Sequence, residues 1–206
     1  MIREPLILFG AGGHARSCID VIEEHNEFKI AGFVDLNIQI GCKYLGYNVI
    51  GRDSDLTELA KTHHNAIISV GQIKSPKKRI KIYNKIKKFN FNLPIIVSPF
   101  AHVSRHAIIG EGSIIMHGAI VNAGAKIGRN CIINSQALIE HDTLVGDHCH
   151  ISTGAILNGN VIVGEGSFLG SGCIIKEGVE IKKESLVSFG LKVHKDFKND
   201  TQIKSG

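Results

Sequence analysis

From residue 103 to residue 192 the sequence divides into fifteen consecutive hexads without one insertion, and every hexad opens with Val, Ile or Leu. The register runs from Val103, Ile109 and Ile115 to Ile175, Ile181 and Val187. The fifth position is Ala, Ser, Cys or Thr in twelve of the fifteen, with Val161, Val179 and Leu191 the exceptions. A strand alternates its side chains, so position five of one hexad and position one of the next face the same way, while the polar and Gly-rich residues between suit a corner. A fixed large and small inward pair on so short a period is what a parallel β-helix requires, each coil covering the apolar floor of the next. Fifteen hexads make five three-sided coils. At ~4.8 Å between neighbouring strands, the prism is roughly 24 Å tall. Cys131 and Cys149 fall one coil apart at position five and read as small core fillers. Position six points outward, yet it is Ile, Leu or Phe in eleven hexads. An apolar outer row needs a partner, and self-association through the prism sides supplies one.

The first hundred residues obey another period. Residues 6–9 read as a buried strand, 10–13 as a turn, 15–25 as a helix and 30–34 as a second strand. Helical patterns at 53–62 and 76–89 alternate with apolar runs at 66–70 and 93–97. This is the alternation of a Rossmann-like α/β domain with a parallel sheet. Pro94 and Pro99 mark the junction, giving an α/β domain over residues 1–98 and a β-helix domain over 99–206.

Composition narrows the setting. With 206 residues and 43% apolar content the chain can bury a real core. The apolar start at 6–9 is short and runs into glycines, unlike a signal peptide, and no stretch reaches the ~20 apolar residues of a membrane span, so the expected compartment is the cytoplasm. The five cysteines form no C-x-x-C pair, which argues against a disulfide framework or structural zinc. Eight of the fifteen residues from 74 to 88 are Lys or Arg. A nucleic-acid surface is one reading; a solvated helix face, with no interleaved aromatic platform, is the preferred one.

Two motifs carry chemistry. Gly10-Ala11-Gly12-Gly13-His14-Ala15 lies where a strand passes into a helix, and Asp35 ends the second strand. Backbone N–H groups and the helix dipole at such a turn hold phosphate. The loop also meets a loose G-x-G-x-x-A pattern, so a nicotinamide enzyme is a rival, but some ninety residues make half a dinucleotide fold and a nucleotide-sugar pyrophosphate is the better guest. Glycines serving packing alone is the bland alternative. The second motif, Glu140-His141-Asp142, occupies positions two to four of a hexad, which puts His141 at a corner rather than in the core. An imidazole beside carboxylates accepts a proton near neutral pH. His148-Cys149-His150 offers two outward histidines, short of the ligands a metal site needs, and His150 interrupts the apolar sixth-position row either as a polar contact in a cleft between prisms or as a solvated histidine. His102, His106 and His117 receive no role.

These residues together resemble the hexapeptide-repeat sugar acetyltransferases, a family that includes sialic acid O-acetyltransferases and N-acetyltransferases of 4-amino nucleotide sugars. The resemblance rests on residues 6–14 (LILFGAGGH), Val34-Asp35, Ser69-Val70-Gly71, residues 134–141 and residues 151–160. It implies a left-handed β-helix, a homotrimer with active sites between adjacent prisms, acetyl-CoA as co-substrate and no metal. It implies His141 as general base and Asp142 as the acid that raises its basicity. It sets His150, Gly159 and Ser171 along acetyl-CoA, and Gly12, Gly13, His14, Asp35 and Gly71 around the nucleotide of the sugar. Two features depart from the family pattern. Phe189 stands in Ser188-Phe189-Gly190 where small glycine-rich residues are usual, and no G-x-P-A-K segment follows the repeats.

The expected function is acetyl transfer to the amino group of a nucleotide-linked sugar in glycan or polysaccharide biosynthesis. O-acetylation of a sialic-acid-like sugar and a non-catalytic trimeric scaffold are the alternatives.

Overall fold

The computed structural model describes residues 3–196 and 202–203. In its first part, strands β1 (Glu4–Phe9), β2 (Phe28–Val34), β3 (Lys43–Tyr44), β4 (Tyr47–Gly51) and β5 (Asn65–Ile68) form one sheet in the order β3-β4-β2-β1-β5. Strands β1, β2, β4 and β5 are parallel, and β3 runs antiparallel to β4. Helices α1 (Gly13–Glu23), α2 (Leu56–Thr62) and α3 (Lys77–Lys88) connect and cover it. Leu6, Ile7 and Leu8 have no exposed surface, because apolar side chains from both faces of β1 meet helices or the second domain.

The sequence reading passed over the β3–β4 hairpin. Its turn, Leu45-Gly46, has φ of 46° and 88°, the primed geometry that closes a two-residue hairpin. The run at 93–97 was expected to add a strand to this sheet, and it does not. Asn92 makes a single bridge to Asn65, and Ile96–Val97 pairs instead with Ile114–Ile115 as the first rung of the prism.

From Ile96–Val97 to Lys192–Val193 a two-residue strand recurs every six residues, so the register extends one hexad beyond each end of the fifteen. Each strand pairs in parallel with the one eighteen residues on, as Ile114 does with Ile132 and Ile132 with His150. The prism has three sheets, and Gln202–Ile203 adds a last strand beside Leu186–Val187. Position-one residues such as Ile133, Ile139 and Ile151 interdigitate with position-five Ala, Cys131, Cys149 and Cys173 in one fully buried column. The fourth residue of each hexad from Gly112 to Gly190 has positive φ. Glycine accepts this readily; Asn130, Gln136, Asp142, His148, Asn160 and Glu184 are held in it by the coils on either side.

The outward position-six row was assigned wholly to self-association, and one third of it is used otherwise. On the face carrying Ile114 and Ile132, both fully buried, the α/β domain lies directly against the prism, with Ala15, Cys18, Ile19 and Ile22 of α1 in the same apolar cluster. The other two faces leave Ile108, Ile120, Leu144 and Ile162 exposed. The basic run is solvated except at Arg79, which is 1% exposed. Among the described residues no helix is long and apolar enough to cross a membrane.

Because Ile151 is wholly enclosed by the prism column, Ile151→Ala is expected to cost roughly 2–5 kcal/mol of stability. Denaturant titration checks this, and a loss below about 1 kcal/mol would mean that the column collapses around the gap.

Candidate active site

His141 sits at the corner between strands Leu138–Ile139 and Leu144–Val145 and leaves 57% of its side chain exposed. Asp142 follows in the left-handed conformation, φ 59°, which folds its carboxylate back onto the ring. Asp142 Oδ2 is 2.9 Å from Nδ1 of His141. A carboxylate only accepts, so Nδ1 carries the hydrogen and the lone pair of the neutral ring lies on Nε2. One coil further along the same edge is Gly159, where a Cβ would stand 2.6 Å from His141 Nε2. The ring occupies the space that any side chain at 159 would need. Glu140 is held by Asn122 Nδ2 at 2.9 Å. The hydrogen bond that His141 donates to Asp142 raises the His141 pKa above its ordinary 6.5, with the charges of Asp142, Glu140 and Glu177 acting in the same direction. The edge therefore presents an oriented base.

A second group forms at the carboxyl ends of β1, β2 and β5. Asp35 accepts from Ala11 N at 2.8 Å through one oxygen and from Asn37 N and Ile38 N through the other. Its first task is to brace the glycine loop. Gly12 and Gly13 open α1 with no side chain capping the helix and nothing within 4 Å of a Cβ built at either. Gly71 lies over His14, with a Cβ at 71 meeting the His14 Cβ at 3.2 Å. His14 Nε2 is buried without a hydrogen-bond partner among the described residues, and burial, reinforced by Arg79, lowers the His14 pKa to about 3. Gly12, Gly13, His14, Asp35 and Gly71 are thus neighbours. Beside them opens a cavity of about 240 Å³ whose rim includes Lys78, Lys81, Lys85 and Asp53. Sequence reasoning missed these four; the signal was the helical spacing of Lys78, Lys81 and Lys85, which aligns them on one side of α3.

The two groups do not meet within one chain. His141 and Gly159 share the prism edge opposite the face that the α/β domain covers, since that face holds Ile114, Ile132, His150 and Phe168. Ser171 lies on another edge, hydrogen-bonded to Ser152 Oγ at 2.9 Å, with the 81%-exposed Phe189 one coil beyond. His150, expected outward in a cleft between prisms, is corrected to a buried seam residue, 6% exposed. Its Nδ1 donates to Gln72 O at 2.6 Å, and Nε2 lies 3.2 Å from Asn134 Nδ2. Burial lowers its pKa to about 4. His148, also expected outward, packs edge-on against Tyr83 and bonds Asn130. The reason is the same for both: the chain's own α/β domain covers this face. Among the described residues no group of three His, Cys, Asp or Glu is placed to hold a metal ion.

Residues 5–86 match the PglD N-terminal domain family and residues 106–141 the bacterial transferase hexapeptide family. No curated protein sequence matches the chain. Among solved structures, the acetyltransferase domain of PglB from Neisseria gonorrhoeae, in complex with acetyl coenzyme A, is 30% identical, with 95% of this chain and 93% of that one covered and a TM-score of 0.87. PerB from Caulobacter crescentus, in complex with CoA and GDP-perosamine, is 30% identical over 97% of this chain and 91% of that one, also at 0.87. WeeI from Acinetobacter baumannii, 19% identical over 92% and 94% of the two chains with a TM-score of 0.70, shares the fold.

The site makes a titration prediction. In a proton NMR titration His141 should titrate above 6.5 and return toward 6.5 in Asp142→Asn, whereas His14 and His150 should stay neutral until about 3 and 4. Both buried rings have folded pKa values below the unfolded value, so their contribution to stability is complete above 6.5 and is lost as pH falls toward those values. A His141 that titrates below 6.5 would contradict the Asp142 contact.

Proposed function

Because the chain belongs to the hexapeptide-repeat sugar acetyltransferases, we propose that it acetylates the amino group of a nucleotide-linked amino sugar, with acetyl-CoA as co-substrate and His141 as general base. The observation that carries this reading is the His141–Asp142 pair with its lone pair turned to the space beside Gly159. Glycine there makes room for the His141 ring, more than half of whose side chain stays open to a reactant. The relatives bound to acetyl coenzyme A, and to CoA with GDP-perosamine, support the two ligand classes.

Acetyl-CoA supplies the thioester carbonyl. His141 Nε2 removes a proton from the attacking amine, and Asp142 holds the ring and stabilises the imidazolium that results. The imidazolium then returns its proton to the departing thiolate, so no covalent enzyme intermediate is needed. At the other group, the N–H groups of Gly12 and Gly13 at the start of α1 attract the pyrophosphate, and the unpartnered Nε2 of His14 is a polar atom ready for the same ligand. Gly71 keeps that approach open, and the cavity beside Asp35 takes the nucleoside. In this division the α/β domain, which ends before the first prism rung at Ile96–Val97, binds the nucleotide and the prism performs transfer.

We place the active site between copies of the chain in a homotrimer. A sugar held by the α/β domain lies across the prism from that chain's own His141, and only another subunit's edge can reach it. Exposed Ile108, Ile120, Leu144 and Ile162 flank the His141 edge and supply an apolar surface for the association. Ser171 would border acetyl-CoA from the neighbouring edge, while His150 would act from behind the wall. Five free cysteines accord with work in the cytoplasm.

The purified protein is expected to release free thiol from acetyl-CoA with one amino-bearing nucleotide sugar, and His141→Ala to lose roughly 10²–10⁴-fold in turnover. Activity within a few-fold of wild type in that variant removes His141 from the role, and release with sialic acids alone converts the reading to O-acetylation. Light scattering should give three times the 22.4 kDa chain mass; a monomer that is fully active would refute the shared site.

A further inference from the structure

Arg79 is the anomaly of the basic helix. It is 1% exposed, and among the described residues every hydrogen-bond partner it has is a carbonyl. Nη1 donates to Ile68 O at 3.0 Å and Val70 O at 2.6 Å, just past the end of β5. Nη2 donates to Asn130 O at 3.2 Å and Asn130 Oδ1 at 2.6 Å, on a prism corner. One planar fork therefore joins the two domains, a geometry that lysine cannot reproduce. Gln72 closes the same seam from the other side. Its side-chain Nε2 donates to His148 O at 3.0 Å and Gly166 O at 3.2 Å, and its main-chain carbonyl accepts from His150 Nδ1. Between these two anchors lie Val70, a wall of the cavity beside Asp35, and Gly71, which lies over His14.

A buried cation without a carboxylate is costly to maintain, so packing alone is a poor account of it. We propose that Arg79, together with Gln72, is a positioning residue for the nucleotide-sugar site: it locks residues 70–72 to the prism face, and so sets the height of Gly71 above His14 and the width of the adjoining cavity. The inference rests on the proposed use of that site for a nucleotide sugar. It also assigns His150 a place, as the donor that fixes the Gln72 carbonyl. The buried charge behind the loop favours an anion in front of it.

The test compares Arg79→Lys, Gln72→Ala and Asn130→Gly, the last keeping the left-handed backbone while removing the side-chain acceptor for Arg79 together with the amide contact to His148. Each should raise KM for the nucleotide sugar about tenfold, with kcat held within about threefold and KM for acetyl-CoA unchanged. Trypsin should cut after the exposed Lys74 faster in each variant of the full-length protein. A proportionate loss of kcat and of both KM values would mark a structural role only, and an unchanged KM for the nucleotide sugar would show that the loop does not position it; either overturns the proposal. Should the wild-type protein acetylate no nucleotide sugar, the functional reading fails on its own, and an unchanged tryptic rate in the variants would separately overturn the clamp.

Discussion

Strands of two residues, stacked at eighteen-residue intervals, are too short to persist alone, and everything else in this molecule depends on their stacking. Each strand contributes one inward side chain, and the column of Ile, Val and Leu alternating with Ala and Cys is continuous only while the period holds. The corners pay for that regularity with a left-handed residue in each hexad from Gly112 to Gly190. Where that residue is not glycine it tends to do something: Asp142 turns back to His141, and Asn130 reaches Arg79. A repeating scaffold thus provides fixed, strained positions from which side chains project with little freedom.

The seam between the domains is the second determinant. One prism face carries Ile114, Ile132 and His150 into contact with the α/β domain, and the other two leave Ile108, Ile120, Leu144 and Ile162 exposed. This choice removes His150 from solvent and keeps its ring neutral. It also sends the His141 edge to the far side of the prism from the glycine loop. Geometry within one chain separates His141, the candidate base, from the glycine loop proposed to take the phosphate, which makes association a requirement of the proposed chemistry rather than an addition to it. The polar contacts in the seam are few and specific, from Arg79, Gln72 and His150 to main-chain carbonyls. They tie the loop at residues 70–72 to the prism face.

Much of this was legible beforehand because period is a property of the chain itself. Fifteen hexads with a large residue at position one and a small one at position five admit one kind of stacking, and the burial of Cys131, Cys149 and Cys173 follows from position alone. The helix read at residues 76–89, found at Lys77–Lys88, and the strand read at 6–9, found at Glu4–Phe9, were equally plain from their spacing. His141 was placed at a corner by its index within a hexad, and Asp142 beside it by adjacency. What failed were statements about what lies outside a face. The apolar sixth row called for a partner without saying which, the short run at 93–97 fitted either domain, and no pattern in the sequence distinguishes Arg79 from the seven lysines around it.

The sequence by itself determined the β-helix, its register, its core and the corner on which the candidate base stands, because a six-residue repeat specifies inside and outside at every position. The tertiary structure alone decided which prism face the α/β domain would cover, that Arg79 and His150 would be buried in that seam, and that Asp35 would brace the glycine loop. Those outcomes depend on contacts between residues some twenty to eighty positions apart, such as Gln72 with His150 or Arg79 with Asn130. No local period encodes them, since a side chain's partner across a domain seam is set by how two finished surfaces fit.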